Sequence, residues 1–487
     1  MSPTLIFTSF IVYTLLLFVV SWFTSRKADN QSFFIGNKKS PWFVVAYGMI
    51  GASLSGVTFI SIPGWVGTTG YTYFVIVLGY VLGYVVITTI LLPLYYKLNL
   101  TSIYTYLEQR FGKRAYTTGA IFFLISRIIG ASFRMFLVVS VLQFFVFDHF
   151  GIPFWMTVVL FMVLIQLYTM KGGIKTIVWT DTLQTTFMIL AVIVSIVLIL
   201  QNMQTGFLTM VEIVWDSDLS KIVVTDIDSK QNFFKLLLSG MFITIVMTGL
   251  DQDMMQKNLS CRNLKDAQKN TTTLSLILVP VNLVFLFLGA VLYLYAAQSN
   301  IEIPASTDHL FPDIAFNHLG IFAGIVFVIG LISAAYSSAD SALTALTTSF
   351  SIDILKLDKK YANNENLLKS KRQQVHIGMA IVIIFVIVLF ELINNQAVIS
   401  QLFTFAGYTY GPLLGLYAFG LLTKIQVRDN WIPIVAIVAP VLSYFLSRYS
   451  ETLFNGYQIG FELLIINGIF TFIGLLIFRK KRKPSNI

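Results

Sequence analysis

Long apolar runs separated by short polar stretches make up most of this chain. A bilayer core about 30 Å thick is crossed by about 20 helical residues. Counting apolar runs of this kind predicts an all-α polytopic membrane protein with about 13 transmembrane helices. The predicted segments are 4–24, 41–66, 71–96, 116–148, 153–170, 176–202, 233–256, 271–298, 319–350, 374–393, 397–423, 430–448 and 457–478. The longest polar stretches, 203–232, 299–318 and 353–373, are predicted to be loops.

The composition supports this class. Of the 487 residues, 56% are hydrophobic and 11% are charged, whereas soluble domains carry roughly 25% charged residues. Thirteen spans leave no stretch for a separate soluble domain, so residues 1–487 form a single transmembrane domain. We therefore expect an integral protein of the plasma (inner) membrane.

The basic residues predict the orientation. Of the 33 Lys and Arg, 27 lie in the loops after odd-numbered segments or in the tail 479–487. Two more lie inside the fourth segment, and four lie on the other side: Lys221, Lys230, Lys235 and Arg448. The positive-inside rule then places the N-terminus outside and the C-terminus in the cytosol. The same asymmetry explains the net charge of +10, which indicates anionic lipid as a partner and does not require nucleic acid.

Two further features narrow the class. Arg26 and Lys27 follow the first segment, which is typical of a retained helix with its N-terminus outside and not of a cleaved signal. The single cysteine, Cys261, excludes an intramolecular disulfide. The four histidines are scattered through loops and segment ends, which argues against a membrane-embedded enzyme.

The ninth segment carries an unusual polar stripe. Ser337, Ser341, Thr344 and Thr348 fall on one helical face, and Asp340 lies one turn from Ser337. A carboxylate in a membrane helix costs about 2.5–3.5 kcal/mol to insert, so it needs a partner or a task. Hydroxyl, carbonyl and carboxylate oxygens are ligands that a hard cation such as Na+ prefers. The alternative is that the serines only allow close helix packing.

The second and seventh segments are interrupted. The second places three glycines and three hydroxyls within 48–58, and the seventh contains the stretch 248–253 with Gly249, Asp251 and Asp253. Broken helices near the midplane build the substrate and ion sites of many secondary transporters. The alternatives are a glycine-rich packing seam in the second segment and a position near the inner surface for the two acids.

Two other sets of charged residues are candidates. Arg127 and Arg134 lie seven residues apart on one face of the fourth segment. They could bind an anionic or hydroxyl-rich solute or be neutralised by Asp340, Asp181 or another buried acid, and we expect at least one to be paired. Asp181 lies in the second turn after a Gly-Gly pair, where it could cap backbone or bind a cation.

Three motifs in order resemble the sodium/solute symporter family, which includes sodium-glucose, sialic acid, proline and iodide cotransporters. The resemblance covers essentially the whole chain. It implies a LeuT-type 5+5 inverted repeat with one extra N-terminal helix (4–24), two extra C-terminal helices (430–478) and halves at 41–202 and 233–423. The motifs are Gly172-Gly173-Ile174 through Trp179-Thr180-Asp181-x-x-Gln184, Ser337-Ser338-Ala339-Asp340-Ser341 leading to Ser351-Ile352-Asp353-Ile354, and Gly411-Pro412-Leu413-Leu414-Gly415 with Gly420.

The resemblance also implies a main sodium site. Its ligands would be the carbonyls of Gly51, Leu54 and Ser337 with the side chains of Asp340 and Ser341. The family usually has Ser or Thr at both side-chain positions, so Asp340 allows tighter sodium binding, a second ion or a carried proton. Asp181 matches an acid that serves a second sodium site or the exit path in some relatives.

The implied substrate site is less transferable. Candidates come from the segments that match the family's solute walls: Ser53, Ser55, Thr58, Tyr73, Arg127, Arg134, Asp251, Phe405 and Tyr408. Val77 stands where sialic acid transporters have Gln, and their fourth-segment Arg aligns near Gly130, so sialic acid is not the expected solute. The third segment also lacks the acid of the sugar-binding branch, which argues against hexose.

The sequence therefore predicts a sodium-coupled symporter, not an enzyme. It would import a small polar organic solute, such as a sugar or sugar acid, by alternating access, and a monomer is expected to suffice. Na+ is the expected coupling ion. The alternatives are a proton-coupled symporter of the same fold and a sensor or channel built on it.

Overall fold

A computed structural model describes residues 3–26, 29–393 and 398–480. The predictions for Lys27, residue 397 and the tail positions 481–487 lie outside this part. Within it, each predicted segment coincides with a helix. These are α1 (Pro3–Ser25), α2 (Trp42–Thr69), α3 (Tyr73–Val86, continued by a π-turn Ile87–Leu91 into Leu92–Lys97), α4 (Lys113–Leu142), α5 (Phe154–Gly172), α6 (Ile174–Asn202), α7 (Phe233–Thr244 with a π-turn Ile245–Gly249, then Gln252–Leu259), α8 (Leu264–Gln298), α9 (Gly320–Ser349), α10 (Glu365–Ile393), α11 (Val398–Leu422), α12 (Ile432–Arg448) and α13 (Leu463–Ile477).

The three predicted loops contain short helices. Phe207–Trp215 forms a helix within 203–232, and its Leu208 and Trp215 side chains are about three-quarters exposed, at 76% and 73%. Such an apolar face is typical of a helix at the membrane interface. Helical turns also occupy Leu310–His318, and α10 begins at Glu365, before its predicted start, because its first two turns are polar.

Helix α2 is broken at Ser55. This residue has φ 62° and ψ 177°, a conformation outside the helical region. The break divides α2 into 42–54 and 56–69, and it interrupts the backbone hydrogen-bond ladder. The predicted interruption of the second segment is confirmed, and the carbonyl groups before Ser55 become available to other donors or to a cation.

Helix α7 is broken as well. Its two parts, Phe233–Gly249 and Gln252–Leu259, meet at an angle of 63°. Asp251 caps the second part by accepting hydrogen bonds from the backbone amides of Asp253 (2.9 Å) and Met254 (3.3 Å). The two halves predicted from the sequence, which begin with α2 and α7, therefore each open with an interrupted helix.

Helices α2, α6 and α9 pack closely around the break in α2. Gly48 lies against Asp181 of α6, and Gly330 of α9 lies against Ala191 of α6. A side chain at any of these glycines would clash, so small residues allow the three backbones to approach. This contact brings the polar stripe of α9 beside the interrupted part of α2.

One end of this region is covered by a short helix, Asn30–Ile35. Phe33 is fully buried under the guanidinium of Arg372, 4.0 Å from the ring centroid. Gln256 of α7 donates a hydrogen bond to the carbonyl of Phe34 and another to Thr348 of α9 (3.0 Å). This short helix is thus joined through Gln256 to the second part of α7 and to α9.

Candidate functional site

The stripe on α9 forms a buried polar surface. The hydroxyl groups of Ser337, Ser341 and Thr344 are buried and have no hydrogen-bond partner among the described residues. Asp340 is fully buried, and both of its oxygens accept hydrogen bonds, one from the Tyr168 hydroxyl (2.8 Å) and one from the Ser341 amide (2.6 Å). An acid that only accepts hydrogen bonds is suited to the ionised form. Neither arginine of α4 forms an ion pair with it in the described structure.

The break in α2 lies against this surface. The space above the Gly51 backbone is limited by the Ser337 hydroxyl and by Thr185 of α6, and the Gly51 amide donates to the Thr185 hydroxyl at 3.1 Å. Leu54 lies one turn further along, next to the break. Gly51 and Ser337 are thus neighbours, and the donor set of carbonyls, hydroxyls and a carboxylate suits a hard cation.

Asp181 has a partner that the sequence analysis missed. Lys257, in the second part of α7, lies 2.6 Å from an Asp181 oxygen, and each side chain is only 1% exposed. The other Asp181 oxygen has no partner among the described residues. The predicted seventh segment ends at residue 256, which places Lys257 in the following loop. In the structure α7 continues to Leu259, so Lys257 points back into the protein.

A cavity of about 90 Å³ lies on the other side of the α2 break. Its walls come from α2, α3, α4, α7, α8 and α11. Polar lining residues are Ser53, Ser55, Thr58, Tyr73, Tyr80, Tyr84, Arg127, Arg134, Thr244, Thr248 and Asn282; apolar ones include Met247, Leu278, Ile399, Leu402 and Phe403.

Arg127 is neutralised by acids of α7. Its guanidinium forms an ion pair with Asp253 and lies 3.9 Å from Asp251. Asp251 also accepts a hydrogen bond from Tyr410 of α11 at 2.5 Å. Asp251 and Asp253 have no exposed surface, so they are not at a solvent-facing inner surface. The expected pairing of at least one α4 arginine is therefore present, and it fixes α4 to the bend in α7.

Arg134 differs from Arg127. It is 93% buried, at 7% exposure, and lines the cavity. No carboxylate among the described residues lies within ion-pair distance of it, and its Nε has no hydrogen-bond partner there. An unpaired buried guanidinium is costly, and the hydrogen-bond donors of Arg134 can pair with an anion.

The cavity contains most of the predicted solute residues. Ser53, Ser55, Thr58, Tyr73, Arg127 and Arg134 all line it. Asp251 does not line the cavity itself but lies beside Arg127, which does. Phe405 lines a smaller adjoining cavity together with both arginines. Tyr408 does not line either cavity, because on α11 it faces α12, where its ring packs on Tyr444 at 6.2 Å.

Five polar wall residues were missed by sequence reasoning: Tyr80, Tyr84, Thr244, Thr248 and Asn282. Tyr80 lies one heptad after Tyr73, and their hydroxyl groups are 3.2 Å apart. Tyr84 follows one turn later. Asn282 of α8 is buried, with its amide bonded to Leu278 and its carbonyl oxygen unpartnered among the described residues. The sequence signal for Asn282 was a polar residue two positions after Pro280 inside an apolar run.

A vestibule of about 350 Å³ adjoins the cavity at Tyr73. It is lined by the loop before α13 and includes Lys230. Phe461 from that loop contacts the rings of Phe403 and Trp65, at 5.1 and 6.4 Å. This aromatic group separates the vestibule from the cavity.

Comparison with known families gives one match that covers most of the chain. Residues 33–424 match the model of the sodium:solute symporter family. The chain is 24% identical over 480 residues to a sodium/sialic acid symporter of Proteus mirabilis, with 94% of this chain and 92% of the relative covered. It is also 24% identical over 402 residues to the human sodium-coupled monocarboxylate transporter 1, covering 81% of this chain and 64% of that protein.

Solved structures agree on the fold. A sodium-coupled sialic acid symporter in a substrate-bound outward-open state superposes with a TM-score of 0.83 at 21% identity, covering 97% of both chains. The nucleobase-cation symporter Mhp1 in a closed conformation gives a TM-score of 0.61 at 13% identity, covering 90% of this chain and 92% of that one.

Proposed function

The chain belongs to the sodium:solute symporter family and is a sodium-coupled symporter with a LeuT-type fold, and on this premise we propose that its solute is a small carboxylate bound by Arg134. The observation that carries the proposal is the unpaired, buried guanidinium of Arg134 in the wall of the cavity. A carboxylate is its natural partner, since two parallel hydrogen bonds can form between them.

The other walls suit the rest of such a solute. Asn282, Thr248 and the tyrosine hydroxyls offer hydrogen bonds to a hydroxyl or keto group, and Leu278 and Leu402 offer apolar contact. A cavity of about 150 Å³ holds benzene, which has about six non-hydrogen atoms, so a cavity of about 90 Å³ favours a small solute. Lactate and pyruvate have about as many non-hydrogen atoms as benzene, and a sialic acid or hexose is larger.

The relatives point to the same chemical class. One group is named for sialic acid and another for monocarboxylates. Both kinds of solute carry a carboxylate, although they differ in size. Because the cavity is small, we favour the monocarboxylate class for this chain.

The proposed sodium site consists of the carbonyls of Gly51, Leu54 and Ser337 with the side chains of Asp340 and Ser341. It is supported by the contact between Gly51 and Ser337, by the unpartnered Ser341 hydroxyl and by the freed carbonyls before Ser55. Sodium bound there would hold the broken α2 against α9 and so fix the cavity wall formed by Ser53 and Ser55.

The test measures sodium-dependent uptake of lactate and pyruvate in proteoliposomes. Arg134→Gln should raise the KM for either acid roughly 10- to 100-fold, because a hydrogen bond to a charged group contributes about 1.5–3 kcal/mol. Lactamide, which has the same shape without the charge, should not compete. Arg114→Gln serves as a matched control, since Arg114 lies on the same helix and is exposed.

Binding of ²²Na+ to Arg134→Gln should remain normal, which shows that the variant is folded. Uptake of lactate that is unchanged in this variant would refute the proposal. Preferential uptake of glucose or proline by the native chain would do the same. Replacing Na+ by choline at fixed pH should abolish uptake, whereas uptake that follows only the proton gradient would favour proton coupling.

A further inference from the structure

We infer that Lys257 occupies the place of a second coupling cation, so that the cluster of Asp181, Asp340 and Lys257 binds one sodium ion and not two. This inference deepens the proposed function, because it rests on the sodium site described above. It concerns the number of ions that move with each solute molecule. Three observations on buried charges carry it.

The first observation is the burial of an ammonium group at this position. Lys257 is 1% exposed and lies 2.6 Å from Asp181, which is equally buried. Lysine is almost never fully buried unless it is paired. Its ammonium group is a compact monovalent cation at a carboxylate, as a sodium ion would be, but it is attached to the chain.

The second observation is the closeness of the two acids. Asp181 packs against Gly48 of α2, and Ser337, one turn before Asp340 on α9, packs against Gly51, one turn further along α2. Taken as ionised, the three groups carry a net charge of −1 in a region without exposed side-chain surface. One sodium ion makes the cluster neutral, whereas two would leave a buried charge of +1, which is unfavourable at low dielectric.

The third observation is that oxygen ligands remain free beside the ion pair. The second oxygen of Asp181 and the hydroxyls of Ser341 and Thr344 have no partner among the described residues. The neighbouring acids of α7, Asp253 and Asp251, are paired with Arg127, and no ion pair joins them to Lys257 among the described residues. Removing the lysine charge would leave room and ligands for a further ion in the cluster.

The test is a count of bound ²²Na+ per purified protein in a series of variants that change the charge of the cluster. The native chain should bind one ion. Lys257→Met should bind two, because the cluster becomes −2. The double variant Lys257→Met with Asp181→Asn returns the charge to −1 and should bind one. Asp181→Asn alone leaves the cluster neutral and should weaken sodium binding at least tenfold.

Two controls accompany the series. Lys257→Arg keeps the charge and should bind one ion. Lys265→Met removes an exposed lysine four residues beyond Cys261 and should also bind one. Thermal unfolding with and without Na+ gives a second readout, because only a folded site is stabilised by the ion. If Lys257→Met does not fold, the double variant and Asp181→Asn still decide between one ion and none.

The outcomes distinguish a failure of the role inferred for Lys257 from a failure of the proposed sodium site. If the native chain binds one ion and every variant binds the same number, the sodium site stands and the role of Lys257 is refuted. Two ions in the native chain would also refute it. A native chain that binds no sodium would overturn both this inference and the sodium site on which it rests.

Discussion

At the scale of single residues, the partners of Asp340 could be identified only from the structure. The sequence has an acid at position 340, where the family usually has Ser or Thr. From the sequence alone, its partner could be a cation, a proton or an arginine of α4. In the structure its oxygens are held by Tyr168 and by the Ser341 amide. Tyr168 lies on α5, far away along the chain, so no local pattern could have identified it. The acid is thereby fixed in place without being neutralised.

Cys261 gives a prediction at the same scale. The thiol is completely buried just after the end of α7, and burial raises its pKa from 9.0 to about 12. A raised pKa means less thiolate, roughly a thousandfold less near neutral pH, and the thiolate is the reactive form. We expect almost no labelling by N-ethylmaleimide at pH 7.5 in mild detergent and complete labelling in dodecyl sulfate. Rapid labelling of the folded protein would show that this region is open.

At the scale of elements, the two broken helices organise the site. In α2 the break at Ser55 frees carbonyls toward α9, and in α7 the bend at Asp251 brings acids to Arg127. Glycine and hydroxyl content predicted both breaks. It did not predict which residue would leave the helical region, because several glycines in 48–58 could have done so equally well.

The break in α2 gives an element-scale prediction. Ser55 has φ 62° and ψ 177°, a region that is almost restricted to glycine and costs about 1–3 kcal/mol for other residues. Ser55→Gly should therefore raise the melting temperature, while Ser55→Val should lower it. Melting curves in detergent at saturating Na+ provide the measurement.

Ser53 is the matched control for that experiment. It lies two residues earlier in the helical part of α2. Glycine there should lower stability by about 1 kcal/mol because it has poor helix propensity. The same sign of change for Ser53→Gly and Ser55→Gly would contradict the assignment of the break to Ser55.

At the scale of the whole molecule, charge and hydropathy give an integral membrane protein with a predicted orientation. Loops after odd-numbered helices carry most of the basic residues. The orientation determines the direction of transport, since the vestibule beside Lys230 would then face the outside and the Asn30–Ile35 segment the cytosol. We expect the N-terminus outside and the C-terminus in the cytosol.

This orientation can be tested in the native background, because Cys261 is expected to be unreactive. Thr225→Cys introduces an exposed thiol between α6 and α7, and Asn363→Cys introduces one before α10. A membrane-impermeant maleimide added to intact cells should label the first variant and not the second. After permeabilisation both should react. Labelling of Asn363→Cys alone in intact cells would show the opposite orientation.

The sequence by itself determined the class of the protein, the positions of the long helices, the two breaks and most of the oxygen-bearing residues. These features can be recognised locally in the sequence, because each span must be long and apolar enough to cross the bilayer. A polar residue inside such a span is costly and therefore stands out. Only the tertiary structure decided which charges meet. Lys257 with Asp181, Asp253 with Arg127, and Arg134 without a partner depend on contacts between distant helices. The free energy of a buried charge is set by its neighbours in space, and the proposed number of ions and class of solute are argued from those neighbours.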